Sequence, residues 1–274
     1  MTTTTLGLRP GGHKPGRVLL IGAGPGDPGL LTRRALSALK GADVVVYDRL
    51  VSPEIMDLVP EDVLQIDVGK APGHHRLTQD ETNALLVDLA RRGLCVARLK
   101  GGDPLIFGRG GEEAAELKTA GVEFKYVPGI TAAQGAAAAT GVPLTHRGLA
   151  AGVRYVTGHR CQDAVLDHDW ASLANADTTL VVYMGAMNIA DIASKLIRHG
   201  MASSLPVMAV SAATTPRQTQ VISDLGHIAE AVGQAVPEAP LLFVIGHVVS
   251  LSPTAAQTLA ITAPETQAKA VRYG

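Results

Sequence analysis

The sequence predicts an α/β fold made of two α/β domains. Short apolar runs alternate with segments of helical periodicity along most of the 274 residues, which is typical of parallel α/β architecture. Two of these runs are followed directly by glycine-rich turns, and open α/β sheets bind small ligands at this end of their strands. Hydrophobic residues make up 46% of the chain and charged residues 18%, as expected of a globular core.

The first domain is predicted over residues 17–140, after a flexible Thr-, Gly- and Pro-rich tail at residues 1–16. The pattern at residues 78–81, Thr-Gln-Asp-Glu, predicts a capping box at which a helix begins, and this helix is predicted to end near Arg92. The other predicted helices are 30–40, 112–120 and a small-residue helix at 131–140. The predicted strands are 18–21, 44–47, 95–99 and 123–127.

The second domain is predicted over residues 141–252, entered through a crossing segment at 142–147. Its predicted strands are 153–157, 179–184, 206–211 and 241–245, with helices at 188–199 and 225–232. Residues 253–274 lack apolar periodicity after Pro253 and are expected to form a loose tail.

Composition excludes several classes of protein. A net charge of -1 and an aromatic content of 3% argue against nucleic-acid binding. No apolar run approaches the roughly 20 residues of a membrane helix, and the N-terminus has no signal-peptide pattern, so a cytoplasmic protein is expected. Cys95 and Cys161 are expected to be reduced thiols. The histidines 74, 75, 146 and 159 fit no standard metal spacing, and no metal is predicted.

The first glycine-rich turn, residues 22–29 (loop one), has the form of a dinucleotide site. Gly24, Gly26 and Gly29 satisfy G-x-G-x-x-G, and Asp48 ends the next strand, where such folds place a ribose-binding acid. However, Pro25 and Pro28 remove N–H donors from the segment that would hold a pyrophosphate. These two prolines weaken the dinucleotide interpretation, and we keep a nicotinamide- or flavin-dependent oxidoreductase only as an alternative.

Loop one and the second turn, residues 101–111 (loop two), resemble the uroporphyrinogen-III C-methyltransferases of the tetrapyrrole methylase family. The matching segments are 21–31, 47–51, 68–70, 73–75, 98–113, 127–132, 141–147, 157–159, 183–185 and 214–218. The resemblance implies a homodimer with the active site in the cleft between the two domains. It also implies S-adenosyl-L-methionine-dependent methylation of uroporphyrinogen III at C2 and C7, through precorrin-1 to precorrin-2, for sirohaem, cobalamin or haem d1 synthesis.

The resemblance assigns cofactor contacts to both domains. Glycines let the backbone approach the adenine and methionine parts, and an aspartate can pair with an ammonium or hydroxyl group. The implied residues are Pro25, Gly101, Gly102, Asp103, Ile106, Thr131 and Ala132 in the first domain and Met184 and Ala213 in the second.

Methyl transfer from a sulfonium needs positioning, a group that takes up the released proton, and cations for the eight substrate carboxylates. Asp48 and Lys70 match the family's proposed proton acceptor and donor. Arg109 is a candidate for catalysis and for carboxylate binding, and the second role is preferred because an arginine is a poor base.

Three further residues, Glu112, Arg147 and His159, match substrate-binding positions. Each also has a structural alternative. Glu112 could be an acid at a helix N-terminus, Arg147 could form an interdomain ion pair, and His159 could be a structural histidine. A strand-end turn acid is the alternative for Asp48, and a solvated surface lysine is the alternative for Lys70.

Two alternatives to this activity stay open within the resemblance. One is a sister methylase acting later on a precorrin ring, and the other is a tetrapyrrole carrier without activity. No second catalytic module is recognised in the sequence, so the product is expected to be precorrin-2.

Overall fold

The computed structural model describes residues 16–69, 77–159, 167–238 and 240–254. Several residues named above lie outside this part of the chain: Lys70, His74, His75, Cys161 and nearly all of the two predicted tails. The chain divides into two compact units, Met1–Ala132 and Ala133–Gly274. The division precedes the predicted domain limit at residue 140, because the small-residue helix packs into the core of the second unit.

The first unit contains a five-stranded parallel sheet. Its strands are β1 (Arg17–Gly22), β2 (Val44–Tyr47), β3 (Leu64–Asp67), β4 (Cys95–Lys100) and β5 (Glu123–Val127), in the order β3-β2-β4-β1-β5. The central strands are buried on both faces and are accordingly rich in Val, Leu and Ile. The short β3 strand was not predicted.

Helices cover both faces of this sheet. They are α1 (Arg33–Lys40), α2 (Pro53–Met56), α3 (Gln79–Arg91) and α4 (Gly110–Thr119). The predicted capping box at the start of α3 is present, with Thr78 and Glu81 bonding each other's backbone N–H. Helix α1 packs on one face of the sheet, while α3 and α4 pack on the other.

The arrangement of α1 and α4 creates a topological switch point between β1 and β4. These strands are neighbours, yet the chain leaves β1 for α1 on one face and leaves β4 for α4 on the opposite face. A crevice opens between the carboxyl ends of two such strands, and α/β proteins bind ligands there. Loop one follows β1 and loop two follows β4, so the topology places both at this point.

The second unit contains a mixed five-stranded sheet in the order β6-β7-β10-β8-β9. Its elements are α5 (Ala132–Thr140), β6 (Gly152–Thr157), α6 (Trp170–Leu173), β7 (Thr178–Tyr183), α7 (Ile189–Arg198), β8 (Pro206–Ser211), β9 (Thr219–Asp224), α8 (Ile228–Ala235) and β10 (Leu241–Ile245). Helices α7 and α8 pack on one face, and Ala133 and Ala136 of α5 pack on the other.

The expectation of parallel architecture is wrong for most of this sheet. Only β6 and β7 are parallel, while β10 runs antiparallel to both neighbours and β9 runs antiparallel to β8. The connection from β8 to β9 spans only residues 212–218, which is too short for a parallel crossover. Even so, β6, β7 and β8 point the same way, so their carboxyl ends share one edge.

No helix within the described ranges is both long enough and apolar enough to cross a membrane.

Candidate functional site

Loop one and loop two are joined at the switch point. Gly24 N–H donates to Gly102 O at 3.1 Å, and Gly102 N–H donates to Gly24 O at 2.7 Å. Both residues have left-handed backbones, with φ of 78° and 68°. A Cβ at Gly22 would lie 2.5 Å from Gly129 N and 2.6 Å from Gly102 O, so three backbone segments meet without side chains between them.

Asp103 ties the loop after β5 to this junction. Its Oδ1 accepts the N–H of Leu105 at 2.8 Å, and its Oδ2 accepts the N–H of Gly129 at 3.0 Å. The family resemblance implied only a ligand-binding role for this carboxylate. These two hydrogen bonds fix the backbone at Gly129, just before Thr131 and Ala132 in the chain. Thr131 is buried and Ala132 is half-buried.

The remaining predicted cofactor residues of the first unit lie in the same set of loops. Pro25 belongs to loop one and Ile106 to loop two, and both are half-buried. A separate groove of about 740 Å³ on this unit, lined by parts of α1 and β5, contains none of the predicted residues. The switch-point loops therefore remain the candidate site on grounds of topology and backbone geometry.

The geometry of loop one argues against a dinucleotide site. A 3₁₀ helix at Pro28–Leu30 intervenes before α1, and α1 is capped separately by Thr32, whose Oγ1 accepts Ala35 N–H at 3.1 Å. The side chain of Asp27 accepts Gly29 N–H at 2.7 Å. The glycines thus do not lead into a helix N-terminus, which a pyrophosphate site requires.

Arg109 is presented by a tightly folded loop two. Gly110 N–H donates to Pro104 O at 2.9 Å, and a Cβ at Gly108 or Gly110 would lie within 2.7 Å of that oxygen. Arg109 itself has φ of 56°, in the left-handed region. Such backbone strain in a residue other than glycine is concentrated at functional sites.

Arg109 forms a two-point ion pair with Glu112 in the first turn of α4. Arg109 Nε lies 3.0 Å from Oε1 and Nη2 lies 2.6 Å from Oε2. This hydrogen bonding raises the pKa of Arg109 and lowers the pKa of Glu112. Both side chains are about half exposed. Arg109 is thus held in its cationic form, which favours binding of a carboxylate over the role of a base.

Asp48 follows β2 and lies at the same sheet edge as the two loops. Its Oδ1 accepts Leu50 N–H at 3.1 Å, and its Oδ2 lies 3.5 Å from Nη2 of Arg98. The side chain of Asp48 is 26% exposed, so it faces both the solvent and a buried cation. Its predicted partner in proton transfer, Lys70, lies outside the described residues.

A buried ionic cluster beneath Asp48 was missed by the sequence interpretation. Arg98 and Lys100 of β4 both donate to Oε1 of Glu113 in α4, at 3.0 and 2.7 Å. Relative exposure is 4% for each cation and 0% for Glu113. Burial, and then the charge of Arg98, lower the pKa of Lys100. The available signal was two cations spaced two apart in an otherwise apolar strand.

Three of the predicted residues of the second unit follow the strands whose carboxyl ends share one edge. His159 comes after β6, Met184 after β7 and Ala213 after β8. Gly158 and Gly185 bring the first two of these loops into contact, since a Cβ at Gly158 would lie 2.5 Å from Gly185 Cα.

These loops also carry strained backbones. Met184, Ala212 and Thr214 have φ of 54°, 45° and 70°. Arg147 lies elsewhere, in the exposed turn between α5 and β6 that a His146–Ala150 bridge closes. The second sheet thus groups His159, Met184 and Ala213 but does not group Arg147 with them.

Within the described ranges, no cluster of three His, Cys, Asp or Glu residues could hold a metal ion.

The chain is similar to several known proteins. Residues 17–229 match the family model Tetrapyrrole (Corrin/Porphyrin) Methylases. The chain is 58% identical over 250 residues to the uroporphyrinogen-III C-methyltransferase of Paracoccus denitrificans, covering 91% of this chain and 87% of that protein. It is 52% identical to the siroheme synthase of Hahella chejuensis, covering 86% of this chain but 50% of the synthase, so it spans about half that length.

Among solved structures, the chain is similar to a uroporphyrin-III C-methyl transferase from Thermus thermophilus in complex with S-adenyl homocysteine. The TM-score is 0.74 and the identity 42%, with 86% of this chain and 99% of that chain covered.

Proposed function

Because the chain belongs to the tetrapyrrole methylase family, we propose that it is an S-adenosyl-L-methionine-dependent C-methyltransferase acting on uroporphyrinogen III. It methylates C2 and C7 in turn and releases precorrin-2, the precursor of sirohaem, cobalamin and haem d1. The observation that carries this proposal is the nearly full-length likeness to a uroporphyrinogen-III C-methyltransferase. The likeness to an enzyme solved with S-adenyl homocysteine supports the choice of cofactor.

The switch-point loops fit this cofactor. They form an edge of closely packed glycine backbones with Pro25, Asp103 and Ile106 beside it, which suits a compact ligand held by main-chain contacts. We assign its first-unit contacts to Pro25, Gly101, Gly102, Asp103, Ile106, Thr131 and Ala132. When bound, the cofactor supplies the electrophilic methyl group, and the electron-rich pyrrole supplies the nucleophilic carbon.

The protein's own residues orient the substrate and take up a proton. Arg109 binds a substrate carboxylate, because it is an exposed cation fixed at the start of α4. Asp48 accepts the proton that the macrocycle loses after methylation, and Lys70 is its proposed counterpart as donor. Because Arg109 and Glu112 already pair, substrate binding replaces or extends that pair.

Second-unit residues complete the proposal. We assign cofactor contacts to Met184 and Ala213 and substrate contacts to Arg147 and His159. Strained backbone at Met184 and on both sides of Ala213 supports a binding role for these loops. By family resemblance, we further propose a cytoplasmic homodimer.

An anaerobic assay with uroporphyrinogen III and S-adenosyl-L-methionine tests the activity, with mass spectrometry counting the added methyl groups. Two methyl groups are expected. Turnover of only a later precorrin would instead indicate a sister methylase. Substrate binding without turnover would indicate a carrier.

Binding separates the methylase from the oxidoreductase alternative. Titration with S-adenosylhomocysteine should give saturable binding, whereas NAD should give none. Tight NAD binding without a response to S-adenosylhomocysteine would reject the methylase proposal.

A further inference from the structure

We propose that Arg98 is a positioning residue for Asp48 and that Glu113 holds Arg98 in its working orientation. This inference rests on the proposed function, in which Asp48 is the proton acceptor. Arg98 itself is almost inaccessible to solvent, with 4% relative exposure. It acts through the orientation that it gives to the Asp48 carboxylate.

The sheet register brings the two residues together. Strands β2 and β4 are parallel neighbours in which Val46 pairs with Arg98 and Tyr47 with Leu99. Side chains two apart in a strand share a face, so Asp48 continues the face on which Arg98 lies. The 3.5 Å separation between Asp48 Oδ2 and Arg98 Nη2 follows from this register.

The guanidinium group of Arg98 is held on several sides. Its Nε donates to Glu113 Oε1 at 3.0 Å, and its Nη1 lies within 3.4 Å of the carbonyl oxygens of Val46 and Leu99. Only Nη2 is directed toward Asp48. Leu50 N–H donates to the other oxygen, Oδ1, at 3.1 Å, so each oxygen of the Asp48 carboxylate has a partner of its own.

Stability alone gives a poor reason for this cluster. Buried ion pairs recover their desolvation cost only with good geometry and complete hydrogen bonding, and apolar residues of similar size are often at least as stable. Here Glu113 Oε2 has no hydrogen-bond partner among the described residues, although the side chain is fully buried. Arg98 and Lys100 also carry one more charge than Glu113 balances, and Asp48 supplies the missing negative charge.

The same cluster connects Asp48 to the proposed substrate anchor. Glu113 follows Glu112 in the first turn of α4, where Glu112 points outward to Arg109 and Glu113 points inward to Arg98. One helix end therefore fixes both the proposed proton acceptor and the proposed carboxylate anchor. Such coupled placement matters for catalysis, since a small misplacement of a reacting group costs large factors in rate.

A double-mutant cycle on Arg98→Met and Asp48→Asn tests the inference, with kcat, KM, S-adenosylhomocysteine affinity and thermal midpoint measured for each variant. Arg98→Met should lower kcat about 10- to 100-fold and change the Kd for S-adenosylhomocysteine less than about 2-fold. In the Asp48→Asn background, adding Arg98→Met should change kcat less than about 2-fold, because its effect passes through Asp48. Arg92→Met, which removes an exposed ion pair with Asp88, is the matched control and should leave kcat unchanged.

Equal effects of Arg98→Met in both backgrounds, or no effect on kcat in either, would overturn the proposal. If Arg98→Met fails to fold, Arg98→Lys replaces it in the cycle, since lysine keeps the charge beside Glu113 but lacks the fork that reaches Asp48. If the wild type is active and Asp48→Asn turns over at the same rate, the positioning role and the proton-acceptor role of Asp48 are overturned, while the proposed methyltransferase activity stands. An inactive wild-type protein would overturn both.

Discussion

Gly24 and Gly102 exchange a reciprocal pair of backbone hydrogen bonds, at 3.1 and 2.7 Å. This bridge makes the loops after β1 and β4 a single structural unit at the switch point of the first sheet. It also uses the N–H groups of both glycines, so these donors are not available to a ligand. Any contact that Gly102 makes with the cofactor must therefore use its carbonyl oxygen or its Cα.

Gly129→Ala should destabilise this junction. The added Cβ would lie 2.3 Å from Gly102 O and 2.8 Å from Gly22 C, both backbone atoms that have no flexible side chain to move aside. Overpacking of this kind costs about 1–3 kcal/mol, and S-adenosylhomocysteine affinity should fall about 10-fold or more. Urea unfolding and calorimetric titration measure the two effects.

Gly233→Ala is the matched control for this substitution. Gly233 lies within α8, and nothing is found within 4 Å of a Cβ built there. Its replacement should raise stability by about 0.5–1 kcal/mol and leave cofactor binding unchanged. An equal loss of affinity in both variants would contradict the role assigned to the junction.

Asp103→Ala should weaken both the fold and cofactor binding. The substitution leaves the N–H groups of Leu105 and Gly129 without their carboxylate acceptor. Each of these groups that gains no hydrogen bond to water lowers the free energy of unfolding by about 1–3 kcal/mol. Calorimetric titration with S-adenosylhomocysteine and thermal unfolding should show a parallel decline. Unchanged affinity would remove Asp103 from the cofactor site.

Much of the fold could be predicted because strands buried on both faces are continuous apolar runs. β2, β8 and β10 are such runs, and they begin and end where the sequence indicates. β5 also has its predicted bounds, although it is a polar and mostly exposed strand. β9 could not be found in this way, since Thr219–Asp224 is polar at both ends and only partly buried. Because β9 was not predicted, its antiparallel pairing with β8 could not be predicted either, and the second sheet was expected to be parallel.

The loops of the candidate site could be predicted from the spacing of their glycines. The contacts between residues far apart in the sequence could not be predicted. The turns at residues 22–29 and 101–111 are visible as motifs. The pairing of Arg98 with Asp48 depends on strand register, and that of Lys100 with Glu113 depends on how α4 packs on the sheet. Neither relationship follows from local sequence, although two cations in an apolar strand indicate that a buried partner is needed.

Arg109→Ala should abolish methylation and preserve cofactor binding. The exposed ion pair with Glu112 contributes no more than about 1 kcal/mol to stability, so the variant should unfold near the wild-type midpoint. Loss of the proposed carboxylate anchor should lower kcat/KM by about 100-fold or more, as for other charge-assisted contacts. Activity within a few-fold of wild type would make Arg109 a structural residue.

Glu113→Leu should be far more damaging to stability than Lys100→Met. Loss of Glu113 leaves Arg98 and Lys100 buried together without a carboxylate between them, which costs about 3–5 kcal/mol. Lys100→Met leaves the Arg98–Glu113 pair intact and should cost less than about 2 kcal/mol. Urea unfolding at neutral pH ranks the two variants, and the reverse order would contradict the charge balance described for the cluster.

Stability should depend on alkaline pH through Lys100. Burial lowers the pKa of Lys100 in the folded protein, so the unfolded chain holds this proton more tightly. Between the lowered pKa and the ordinary value of about 10.4, the free energy of unfolding contributed by this residue therefore rises with pH. Lys100→Met lacks the titrating amine, so the wild type should gain stability relative to this variant as the pH is raised from about 7 to about 10. Urea unfolding of both proteins across that range measures the difference, and parallel curves would show that Lys100 keeps its ordinary acidity.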